Sequence, residues 1–122
     1  MKIKVQREDI FIPEYNKNLE LKKEKQISMR VRYLSSAEYN ETMVIGPTGK
    51  IQQDATMLIE KSIVEIKNLS IEDEDGGVVE LVTSEEFLNA PALTTLFYEV
   101  YTFLAEMNKR LNLKNLESPT DG

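Results

Sequence analysis

The residues that could do chemistry crowd into one stretch, NLSIEDEDGGVVELVTSEEFLNAP, from Asn68 to Pro91. Glu72, Asp73, Glu74 and Asp75 stand directly before Gly76-Gly77. Carboxylates beside a glycine turn are the raw material of a calcium loop of the EF-hand type. That loop needs oxygen ligands at its first, third and fifth positions, glycine at the sixth and a bidentate glutamate at the twelfth. With Gly76 at the sixth position, Asp73 and Asp75 fall correctly, but Ile71 takes the first position and Val82 the twelfth. Neither side chain can ligate, so the stretch reads as a hairpin followed by a helix start.

Other chemistries have fewer candidates. GPTGKI resembles part of a phosphate-binding loop, yet Val44 stands where the first glycine belongs and Ile51 where Ser or Thr must follow Lys50. The chain has no histidine and no cysteine. This removes the commonest general base, the usual transition-metal ligands and every triad built on those side chains. Glu85 and Glu86 are adjacent and cannot converge on one point from a helix. Only carboxylates from distant segments remain for acid–base work. The reading is of a non-enzymatic protein with no cofactor and no metal.

Composition narrows the partners. Fifteen Lys+Arg against 21 Asp+Glu give a formal charge of −6, the wrong sign for nucleic acid unless the cations cluster. One cluster exists in LKKEKQISMRVR, where Lys22, Lys23, Lys25, Arg30 and Arg32 read as a solvated strand face. No apolar run approaches the roughly 20 residues that span a bilayer. Cysteine-free composition and the lack of an apolar leader in MKIKVQRED fit a cytoplasmic protein.

The positioning elements follow from periodicity. KIKVQ alternates apolar and polar residues and predicts a short strand. QISMRVRYL does so over nine residues, with Ile27, Met29, Val31 and Tyr33 on the inner face. Ser35 with Glu38, and Thr83 with Glu86, have capping-box spacing and predict two short helices, the second interrupted by Pro91. Gly46, Pro47 and Gly49 mark a loop. Asp54 is a natural N-cap for a helix carrying Ala55, Leu58, Ile59, Ile63 and Ile66 and ending near Asn68. Asp75-Gly76 predicts a tight hairpin turn with both residues at positive φ.

The last helix is the most regular. Leu93, Leu96, Phe97, Val100, Leu104, Met107 and Leu111 fall within about a third of the circumference. Tyr98, Tyr101 and Ala105 form a second strip on its flank, a candidate protein-binding site because tyrosine is favoured at interfaces. The fold class is α+β: N-terminal strands, then a mainly helical part with a long C-terminal amphipathic helix. It forms one domain over residues 1–113, with a flexible tail over 114–122.

The order of elements resembles a known family. QISMRVRYLSSAEYNETM, followed by VEIKNLSIEDEDGGVVELVTSEEFLNAPALTTLFYEVYTFLAEM, is similar to the tail assembly chaperones of long-tailed bacteriophages over roughly residues 25–108. The resemblance implies a chaperone that holds the tape-measure protein and recruits tail-tube subunits in the host cytoplasm, with self-association left open. Two other readings stay open: a structural tail or head–tail component that remains in the particle, and a cytosolic protein-binding module.

Overall fold

The computed structural model describes the backbone of residues 1–117 and the side chains of residues 1–109. In chain order the elements are β1 (Glu8–Phe11), β2 (Ser28–Arg32), α1 (Ser36–Glu41), β3 (Met43–Ile45), β4 (Ile51–Gln53), α2 (Ala55–Ser62), β5 (Ile63–Lys67), β6 (Ser70–Glu72), β7 (Val78–Glu80), α3 (Ser84–Asn89) and α4 (Thr94–Glu117). Two short 3₁₀ turns, Tyr15–Glu20 and Lys23–Lys25, fill the connection between β1 and β2. The α+β order expected from the sequence is present.

β2 is the middle of a three-stranded antiparallel sheet ordered β1-β2-β5. Its alternation does what period two requires. Met29 and Val31 are fully buried, whereas Ile27 and Tyr33 are partly buried at the strand's ends. Across the sheet, Phe11 pairs with Met29 and Glu8 with Arg32. The sheet's inner face meets Leu58 and Ile59 of α2, Phe87 of α3, and Leu96, Val100, Leu104 and Met107 of α4 in one apolar cluster. Burying these side chains together supplies the main favourable term in folding. The expected stripe of α4 is therefore the core face, with Leu93 and Phe97 at its margin; Leu111 lies outside the residues whose side chains are described.

Both capping boxes form in full. Ser35 Oγ accepts the Glu38 N–H and Glu38 accepts the Ser35 N–H; Thr83 and Glu86 repeat the arrangement at α3. Asp54 caps α2 by accepting the Met57 N–H at 3.0 Å.

Three expectations are corrected. Residues 2–6 form no strand, because β2 ends at Arg32 and the chain then turns toward α1, leaving nothing for KIKVQ to pair with. The Tyr33 N–H reaches back to the Arg7 carbonyl at 3.0 Å, and the Tyr33 hydroxyl to Gln6 Oε1 at 3.5 Å. The helix begun at Asp54 stops at Ser62, not near Asn68, and the chain passes directly into β5. Ile63 lies opposite Val31 and Ile66 opposite Met29, with a bulge between Arg30 and Val31. The bulge sets a three-residue spacing on β5 against a two-residue spacing on β2, so a strand shows the apolar interval of a helix. Finally, the β6–β7 turn is a three-residue loop, Glu74-Asp75-Gly76, in which Gly76 alone takes positive φ (83°). The Asp73 N–H donates to the Gly77 carbonyl at 2.8 Å and the Gly76 N–H to the Asp73 carbonyl at 3.0 Å. This is the wider hairpin loop, whose last position needs left-handed backbone.

The Gly46–Lys50 segment closes the β3–β4 hairpin in the same way, with Gly49 at φ 81°. Its Gly46 and Gly49 N–H groups are spent on Lys50 and Gly46 carbonyls. They are not turned outward as a phosphate cradle would require.

Within the β1–β2 connection, Asn18 is 1% exposed. Its Nδ2 donates to the carbonyls of Pro13 (2.8 Å) and Ile27 (3.1 Å), and its Oδ1 accepts the Ile27 N–H at 2.7 Å. One side chain thus supplies bonds that a strand neighbour would otherwise make. The expected tail begins at residue 114; side chains from 110 onward, and the backbone of 118–122, lie outside the described residues.

Candidate protein-binding surface

β1 and α4 run beside each other with their inner side chains in contact. Phe11 and Phe103 stack with ring centroids 4.3 Å apart. Around that pair opens a groove of about 760 Å³, floored by Phe11, Phe103 and Met107 and edged by Tyr33, Tyr98 and Thr102. Three carboxylates, Asp9, Glu99 and Glu106, also line it. Period two places Asp9 and Phe11 on the same face of β1; helical spacing places Glu99, Phe103 and Glu106 on adjoining turns of α4. The Glu14 N–H donates to Glu99, tying the end of β1 to the helix. Its lining combines aromatic rings with carboxylates.

A second, smaller hollow of about 220 Å³ lies at the start of α4, lined by Phe87 and Leu88 of α3, Leu93 just before α4, and Phe97 of α4. Tyr98 lines both concavities and is 60% exposed, its ring edge-on to Phe97 at 5.4 Å. It borders both depressions.

The other two candidate residues are placed differently. The Tyr101 hydroxyl donates to Gln53 Oε1 at 3.2 Å, and the Gln53 Nε2 donates to Thr42 Oγ1 at 3.2 Å. Tyr101 thereby fastens α4 to the β3–β4 hairpin, and its ring lies partly buried on the core. Ala105 is also partly buried against the core. The helical strip is real as geometry, but Tyr98 is its open end.

The acidic residues of the β6–β7 loop are held by their own backbone. Asp73 Oδ1 accepts the N–H groups of Asp75 (3.0 Å) and Gly77 (2.8 Å). Among the described residues no group of three or more carboxylates gathers where a metal ion could be held. The carboxylates with clearly shifted titration are structural. The Arg32 guanidinium and the Ser35 backbone hold Glu38 down at about 2, and the N–H groups of Val82 and Thr83 lower Glu86. Both do capping work, away from the groove.

Sequence reasoning did not find the groove residues Phe11, Phe103, Asp9 and Glu99. The signal available was the EDIF alternation preceding Pro13 and the position of Phe103 just outside the core stripe of α4. No described helix is long and apolar enough to cross a membrane. The chain matches no protein-family model, and no curated protein or solved structure is similar to it.

Proposed function

We propose that this chain is a phage tail morphogenesis protein, an assembly chaperone that works by binding other proteins and catalyses no reaction. Its partners on this reading are the tape-measure and tail-tube proteins, met in the cytoplasm of a bacterial host. The observation that carries the binding part is the exposure of Tyr98. An aromatic side chain 60% exposed and bordering two concavities has the anatomy of an interface anchor, with large contact area and few torsions to immobilise. The phage part rests on the resemblance of residues 25–108 in sequence pattern to that family.

The test is co-purification of the full chain with the tape-measure product encoded beside it, for wild type and Tyr98→Ser. Retained folding with capture lost in the variant supports the reading. Equal capture of both chains, or none by wild type, overturns it. Detection of the chain in finished particles would favour a structural tail component instead.

A further inference from the structure

Residues 1–7, which precede β1, cover little of their own molecule. Met1, Ile3 and Val5 are 69%, 52% and 67% exposed, Lys2 and Lys4 alternate with them, and Gln6 and Arg7 follow. The arm is fixed only at its root. The Arg7 carbonyl accepts the Tyr33 N–H, Gln6 Nε2 donates to the Glu8 carbonyl at 2.9 Å, and Gln6 lies at the edge of the Phe11–Phe103 groove. Exposed apolar side chains on an alternating, cationic segment, next to an apolar groove lined by carboxylates, are complementary in both pattern and charge.

The same molecule's arm is poorly placed to fill that groove. Of residues 1–7 only Gln6 lines it, and Met1, Ile3 and Val5 remain exposed. The arm of a second copy can enter it from outside.

We propose that the arm of one copy lies extended in the Phe11–Phe103 groove of a second, with Ile3 and Val5 on the aromatic floor and Lys2 and Lys4 against Asp9 and Glu99. Because each molecule carries both arm and groove, the exchange is reciprocal and closes as a two-fold dimer. The long lysine side chains can lie along the groove walls while their ammonium groups reach the carboxylates. The dimer is a property of the chain alone and does not depend on the chaperone reading.

The experiment is sedimentation of the purified full chain without any client. Wild type should form a dimer by about 100 μM, with weaker association at high salt. Ile3→Asp with Val5→Asp should raise the dimer Kd at least about tenfold, since two apolar side chains lose their burial. These positions are exposed, so thermal melting monitored alongside should show a folded monomer. Lys2→Glu with Lys4→Glu should also weaken the dimer, and adding Asp9→Lys to that chain should restore it. A wild-type monomer throughout the range, or a dimer indifferent to the arm variants, overturns the proposal.

Discussion

The Arg32 guanidinium and the Glu38 carboxylate meet as a two-pronged pair, at 2.6 and 3.1 Å, while the same carboxylate accepts the Ser35 N–H at 3.0 Å. One side chain therefore closes the capping box of α1 and ties that helix to the end of β2. The arginine bond is the larger cause of the carboxyl's low titration, at about 2 against an ordinary 4.5. A group that binds its proton more weakly folded than unfolded stabilises the fold above its unfolded value. The Glu38 contribution is thus complete above pH 4.5 and lost as the pH falls from 4.5 toward about 2. Melting temperature followed down this range should fall less steeply for Glu38→Gln than for wild type. An identical slope would show that the pair is not linked to folding.

The two faces of β2 should respond oppositely to the same substitution. Val31→Asp places a charge at a fully buried position and should cost more than about 3 kcal/mol. Arg30→Asp loses an ion pair to Glu8 whose side chains are 41% and 45% exposed, and should cost about 1 kcal/mol. Urea titration of the two variants measures the difference directly.

Ser62 ends α2 inside the core, and its Oγ has no hydrogen-bond partner among the described residues. A buried hydroxyl without a partner loses its bond to water and gains none. Ser62→Ala should therefore raise the urea midpoint, corresponding to about 0.5–1 kcal/mol. A loss of stability would mean that the hydroxyl is satisfied.

Gly76 takes φ 83° in the β6–β7 loop, and Gly76→Ala should cost about 1 kcal/mol through backbone strain. Calcium or a chelator should leave the melting temperature of wild type unchanged. A rise of several degrees with calcium would require binding to the native state and would contradict this account of the loop.

Tyr98 and Tyr101 should separate cleanly in stability. Tyr98→Ser, at an exposed position, should change stability by less than about 0.5 kcal/mol. Tyr101→Phe should cost about 1 kcal/mol through the lost bond to Gln53, and Tyr101→Ser more, because the ring packs on the core. Denaturant melts of the three variants check the order.

What the sequence made legible had local causes. A capping box is complete within four residues, and Ser35–Glu38 and Thr83–Glu86 both behave as their spacing requires. Alternation over nine residues around Met29 and Val31 identified the central strand, and helical spacing identified the core face of α4. The errors needed a partner to be seen. Ile63 and Ile66 keep a helical interval only because β5 carries one extra residue between them, opposite Arg30 and Val31 of β2. KIKVQ alternates like a strand, but strand formation is a property of pairs, and β2 ends too early to pair with it. The groove likewise depends on Phe11 and Phe103 meeting across 92 residues of chain, which no local pattern encodes.

Asn18 has a consequence for how this molecule could be re-engineered. By gripping Pro13 and Ile27 together, it divides the β1–β2 connection into two short closures, while Asn68, just past β5, holds the Glu24 and Gln26 carbonyls at 3.0 Å each. Lengthening the chain near Lys22 then costs only the slow logarithm of loop size, about 0.6 kcal/mol per doubling. A guest peptide spliced there would be displayed on a scaffold whose strands keep their register, provided Asn18 is left in place.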